Sequence, residues 1–140
     1  MSDKYFLDTN VLIYSFDEND ANKAKRASEL IRQALATNNG VVSYQVVQEF
    51  FSFALRKAAD PMTTREAEGY LYQVLRPLLS IHSSPVLFAE ALHLHARYQL
   101  AWYDSLIVAA AIQARCDLLY SEDLQSGQRF GRLQVKNPFV

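Results

Sequence analysis

Four short apolar runs constrain this chain more than any other feature: "YFL" at 5–7, "VVSY" at 41–44, "LLYSED" from 118 and "LQVKNPFV" at the C-terminus. The first three lack the polar–apolar alternation of a half-exposed strand, and helical segments separate them. Strands read this way when both faces of a parallel sheet are covered by crossover helices. Residues 21–36, "ANKAKRASELIRQALA", place Ala24, Ala27, Leu30, Ile31, Ala34 and Leu35 on one helical face, and Asn38-Asn39-Gly40 supplies the stop. Residues 10–16 form a short helix before it. A helix through "QVVQEFFSFALRKAA" ends at Asp60-Pro61, and further helices are expected at 64–79 and 85–99. Residues 103–115, "YDSLIVAAAIQAR", are apolar on nearly every face, so this helix belongs in the middle of the molecule. The expected fold is α/β, a three-layer sandwich with a small parallel sheet of four to five strands and helices on both faces, in a single domain spanning 1–140.

Half the residues are apolar and only 21% are charged, enough for one dense core in 140 residues. The formal net charge of −1 argues against a protein that coats nucleic acid through a generally basic surface. Cys116 is the only cysteine, which excludes an internal disulfide and reads as a small buried hydrophobe in a helix. The longest wholly apolar run, Leu106 to Ile112, is far below a membrane span, and "MSDKYFLD" does not resemble a secretory leader. A soluble cytoplasmic protein, without a membrane partner, is expected.

The run "YFLDTNVLIYSF" breaks its apolar character at Asp8 and resumes it within three residues. An ionised group at the end of a buried strand must be paired, hydrogen-bonded or metal-bound. Open parallel sheets bind ligands beyond the carboxyl ends of their strands, where Asp8 and Asp123 both fall. Glu49 lies near the start of the helix after strand two, at the border of its apolar stripe, and Asp104 opens the buried helix. Each has an ordinary alternative: Asp8 and Asp123 as N-caps, Asp104 as a first-turn acid, Glu49 as a solvated helix residue. Together they are harder to dismiss, because two carboxylates ~5 Å apart repel by roughly 3 kcal/mol at an effective dielectric of ~20. Four acids on one rim are tolerable if some take up protons or a divalent cation sits among them, and oxygen-only ligands suit Mg²⁺ or Mn²⁺ over zinc. The histidines offer no rival site: His93 and His95 point about 200° apart on a helix, and His82 stands alone.

The chain resembles the PIN-domain ribonucleases, and in particular the VapC-type toxins of bacterial toxin–antitoxin pairs. The resemblance rests on "FLDTNVLIY" at 6–14, "VVSYQVVQEFF" at 41–51, "YDSLIVAAA" at 103–111, "LLYSEDLQSGQRF" at 118–130 and a terminal "NPF". It implies a metal-dependent endoribonuclease in which Asp8, Glu49, Asp104 and Asp123 hold Mg²⁺, with Mn²⁺ as a substitute, and metal-activated water hydrolyses RNA phosphodiesters. Asn10 and Ser121 would orient carboxylates or water, and of the two acids in "SED" only Asp123 falls on the family's position. Arg56, two turns after Glu49, together with Arg129, Arg132 and Lys136, are candidates to hold the RNA backbone.

The implied partners are an RNA substrate and a small antitoxin carrying a basic residue toward Asp8 and Asp104, where it would compete with the metal. A homodimer is expected from the aromatic-rich stretches "EFFSF" and "YLYQVL". Two rival functions stand beside the nuclease. One is a domain that binds RNA or protein without turnover. The other is a phosphatase of the haloacid-dehalogenase type, whose pattern wants a second Asp where this chain has Asn10.

Overall fold

In the computed structural model, which describes residues 3–140, the first apolar run becomes an interior strand of the sheet. β1 (Tyr5–Leu7) pairs in parallel with β2 (Gly40–Ser43) on one side and β4 (Leu118–Tyr120) on the other. β3 (Leu79–Ile81) lies outside β2, and β6 (Leu133–Lys136) lies parallel to β4. β5 (Arg129–Phe130) is an antiparallel edge partner of β6. The order is β3-β2-β1-β4-β6-β5. The chain therefore steps outward from β1 through β2 and β3 before returning to β4 on the other flank. That reversal makes the β1/β4 boundary the topological switch point, where such sheets open a crevice at their carboxyl ends.

The sheet has six strands among the described residues, one more than the upper expectation. β3 follows directly on a helical segment and carries three residues, and β5 carries two, so neither is long enough to leave a period in the sequence. Their pairing is supplied by neighbours already in place.

The helices are α1 (Thr9–Tyr14), α2 (Ala21–Thr37), α3 (Tyr44–Ser52), α4 (Thr64–Tyr70), α5 (Arg76–Leu78), α6 (Pro85–Tyr98) and α7 (Trp102–Gln113). Asn38, in the left-handed conformation, ends α2 as its position suggests. Helices α2, α3 and α5 pack on β2, whereas α6 packs on α7 and α7 on β4. Residues 105–111 of α7 are all buried, as the all-round apolar sequence requires. Two helices depart from plain periodicity. α3 runs into a π-helical turn at Phe53–Lys57, and α4 into another at Leu71–Leu75 before α5. The expected helices at 45–59 and 64–79 are thus each interrupted, and the second yields its last residue to β3.

"EFFSF" and "YLYQVL" turn out to be mostly core material. Phe50 is fully buried and stacks on Tyr70, Phe51 and Leu71 pack against the same cluster, and only Tyr72 is half exposed. Besides Tyr72, exposed large apolar side chains include Val86, Phe88 and Leu92 of α6, Phe16, Leu55, Tyr44 and Tyr103. Cys116 is buried as expected, though in the link between α7 and β4 and not in a helix, and burial pushes its thiol up to about 12. Among the described residues no helix is long and apolar enough to cross a membrane.

Candidate active site

The chain leaves β1 and turns at once into α1, and the residue at that corner is Asp8. Its carboxylate is 4% exposed and is held on both oxygens: Oδ1 accepts the Thr9 backbone N–H at 2.7 Å, and Oδ2 accepts the Ser121 hydroxyl at 2.7 Å. Asp8 is therefore a cap, and it is also tied across the switch point to the residue after β4. Ser121 in turn accepts the Asp123 backbone N–H at 3.2 Å, fixing the turn that carries Asp123. No helix follows Asp123, so a capping role for it is absent.

Glu49 sits one and a half turns into α3, at the same rim. Its Oε1 accepts the Thr9 hydroxyl at 2.7 Å, so Thr9 braces two acids at once, one through its backbone and one through its side chain. Asp104 lies in the first turn of α7. All four carboxylates, with Asn10, line one open cleft of about 360 Å³. The sequence supplied no sign of Thr9's role, since a threonine between Asp and Asn is unremarkable by composition.

The electrostatics follow from this convergence. Burial, with Asp123 and Glu49 adding negative field, lifts the Asp8 carboxyl to about 7. The same three causes raise Asp104, by burial first. The ion pairs among the described residues, Lys23 with Glu122 and Arg132 with Asp117, both lie outside the cleft. Glu122, the other acid of "SED", also accepts the Tyr14 hydroxyl and so faces away from the four.

The donor set fits a hard divalent cation: every candidate ligand is an oxygen. Asn10 adds a second sign. Both polar atoms of its side-chain amide are buried without a hydrogen-bond partner beside the carboxylates, a situation that costs about 1–3 kcal/mol unless something binds there. As they stand, no three His, Cys, Asp or Glu side chains among the described residues are close enough to ligate one ion.

The basic candidates are distributed differently from their sequence spacing. Arg56 is exposed and does not line the cleft; Lys57 does. On a regular α-helix the position two turns after Glu49 is Arg56, but the π-helical turn at 53–57 widens the period and brings the next residue round. Arg129 is exposed on β5 and hydrogen-bonds Gln134, Arg132 pairs with Asp117, and Lys136 is exposed at the end of β6. The three histidines are exposed and none lines the cleft.

The sequence matches the PIN domain over residues 5–131. This protein belongs to the PIN-domain family. Its fold agrees with PIN structures solved in toxin–antitoxin settings. A toxin–antitoxin complex from Klebsiella pneumoniae aligns with a TM-score of 0.68 at 18% identity, covering 97% of this chain and 98% of that one. VapBC2 from Rickettsia felis, bound to a DNA fragment from its promoter, aligns at 0.65 with 17% identity, covering 95% and 97%. VapC20 of Mycobacterium tuberculosis, a toxin that cleaves the sarcin–ricin loop, aligns at 0.59 with 16% identity, covering 84% and 88%. No curated protein sequence matches this PIN domain.

Proposed function

We propose that this PIN domain is a Mg²⁺-dependent endoribonuclease and the toxin of a type II toxin–antitoxin pair, acting in the cytoplasm. One observation carries the reading: four carboxylates drawn from β1, α3, α7 and the turn after β4 line one cleft at the switch point, braced by Ser121 and Thr9. PIN-domain membership and the toxin–antitoxin setting of the similar structures support it.

Asp8, Glu49, Asp104 and Asp123 would hold the cation, which when bound supplies charge neutralisation at the phosphoryl oxygens and lowers the pKa of water. The chain's own part is positional. Ser121 and the Thr9 backbone fix the Asp8 carboxylate, the Thr9 hydroxyl fixes Glu49, and the Asn10 amide offers a donor and an acceptor to water or phosphate. In hydrolysis a water oxygen bonds to phosphorus and one ester P–O bond breaks. The water's proton passes to the cleft carboxylates, and Asp123, exposed at the mouth, is placed to pass it to solvent; the departing ribose oxygen is protonated from the same open side. Lys57 is the nearest cation for the RNA backbone, with Arg56 and Arg129 further out.

Incubation of the purified protein with defined RNAs, with Mg²⁺ or with chelator, beside Asp8→Asn, tests the reading. Cleavage that needs both Mg²⁺ and Asp8 is expected. RNA that is bound but never cut would favour a binding domain without turnover. The antitoxin's basic residue should compete with Mg²⁺ for the cleft, so its apparent affinity, followed by calorimetry at constant ionic strength, should fall as Mg²⁺ rises. An affinity indifferent to Mg²⁺ would place inhibition elsewhere on the surface.

A further inference from the structure

Beside the carboxylate cleft lies a second one, of about 340 Å³, whose chemistry is of a different kind. The two share a wall made by Gln45 and Tyr103, and Gln45 Nε2 donates to the Tyr103 carbonyl at 3.1 Å across it. Whatever occupies one site thus sits next to the other. No charged side chain lines the second cleft. Its walls carry the rings of Tyr44, Phe88, Trp102 and Tyr103 and the amides of Gln45 and Gln48.

Several of these rings are turned outward at a cost in apolar exposure. Tyr103, immediately before Asp104, is 65% exposed, and Tyr44 and Phe88 are also exposed. Tyr44 is held edge-on by His82, with ring centroids 4.4 Å apart, and Trp102 contacts His95 in the same edge-on manner. At the cleft's inner end is Ser43. It stands at the N-cap of α3, the position where a serine hydroxyl ordinarily accepts a backbone N–H, yet its hydroxyl caps nothing. Ser43 is 3% exposed and its Oγ is buried with no hydrogen-bond partner, lining the cleft. A buried hydroxyl left without a partner points to a bound group that completes it.

From these features we infer that the second cleft is a nucleobase subsite, which takes the base adjacent to the phosphodiester lying over the carboxylates. The inference rests on the nuclease reading for its substrate and adds how that substrate is selected. An uncharged, aromatic cleft rejects a phosphate and suits a planar base. The rings supply aromatic surface on which a base can stack, and the Gln48 amide and the Ser43 hydroxyl offer donors and acceptors to the base edge. Single-stranded RNA supplies such a base without the cost of unpairing. Occupation of adjacent clefts by base and phosphate would set the cleavage register.

Trp102 is the only tryptophan in the chain, so its fluorescence reports on this cleft alone. The experiment titrates the full-length protein, in chelator, with single-stranded homopolymeric tetraribonucleotides of each base and with a tetramer abasic at one internal position. Base-bearing tetramers should quench Trp102, one base best, and the abasic tetramer should bind about 10-fold more weakly, in the range of stacking contributions. Tyr44→Ala and Gln48→Ala, both on exposed positions, should weaken the base-bearing tetramers to a similar extent and leave the abasic one unchanged. Ser43→Ala should alter the ranking among the four bases. Equal binding of intact and abasic tetramers by the wild type overturns the subsite. So does quenching that depends on protein concentration without RNA, which would mean that a second copy fills the cleft. Cleavage with Mg²⁺ is assayed in parallel. A protein that selects bases but never cuts keeps the subsite and loses the nuclease, whereas one that cuts with the same base preference in wild type, Tyr44→Ala and Gln48→Ala does the reverse.

Discussion

The two ends of the parallel sheet hold acids in opposite ways. At the amino-terminal end Asp117 stands just before β4, paired with Arg132 at 3.3 Å, and its backbone N–H donates to the Lys4 carbonyl. Arg132 also donates to the Arg115 carbonyl, and Gly40 at the start of β2 lets the strand close onto α2. That end is built for cohesion. At the carboxyl end Asp8, Glu49, Asp104 and Asp123 share a cleft, and Asp8 and Asp104 are pushed toward protonation by burial and by the charges of Asp123 and Glu49. A carboxylate that a cation neutralises supports the fold, whereas one braced only by hydroxyl and backbone donors among other carboxylates strains it. That difference is the one the proposed nuclease role requires, with acids that hold the fold at one end and acids strained by burial and like charge at the other.

The largest expected effect lies at the strained end. Asp104→Asn should lower RNA cleavage on the order of 10³-fold, the size seen when preorganised electrostatic stabilisation is removed, without lowering the metal-free unfolding midpoint. A loss of several kcal/mol of stability instead would make Asp104 a structural first-turn acid, and the contrast between the ends would fail.

Next in size is a pH effect. Below the usual value of 3.8 Asp8 is protonated folded or unfolded and contributes nothing; as pH rises the unfolded chain releases that proton more readily than the folded one. Asp8 should therefore penalise the metal-free fold increasingly, levelling off above about 7 at roughly 4 kcal/mol, using about 1.4 kcal/mol per unit. Denaturant titrations from pH 4 to 8 on wild type and Asp8→Asn should show the variant gaining relative stability across that range. Parallel curves would mean that the two hydrogen bonds to Asp8 offset its burial.

At the cohesive end, a Cβ on Gly40 would stand 2.2 Å from the Ala34 Cβ, closer than any contact can be. Gly40→Ala should cost about 1–3 kcal/mol, the range for overpacking, with cleavage per folded molecule unchanged. The smallest effect belongs to the Arg132–Asp117 pair, whose arginine is largely exposed. Arg132→Met should cost below about 1 kcal/mol and leave cleavage untouched, measured by the same denaturation and RNA assays. A clear activity loss there would bring Arg132 back as an RNA contact.

The sequence by itself determined the strand and helix plan wherever a period or a stop was strong enough to register. β1, β2, β4 and α2 follow directly from apolar runs and from Asn38, and α7 is buried because no face of it is polar. It also determined which acids to watch, since a carboxylate at the end of a buried strand has few reasons to be there. Only the tertiary structure decided what joins them. Ser121 reaches Asp8 and Thr9 reaches Glu49 because β1, β4 and α3 are neighbours, and hydrogen bonds between residues 113 and 40 positions apart leave no local pattern. The same holds for β3 and β5, too short to pair without a sheet already present, and for Lys57, which replaces Arg56 at the cleft because a π-helical turn shifts the period by a residue. Local propensity and periodicity act along the chain, whereas a site assembled at a switch point depends on which strands lie side by side, and that is settled by packing.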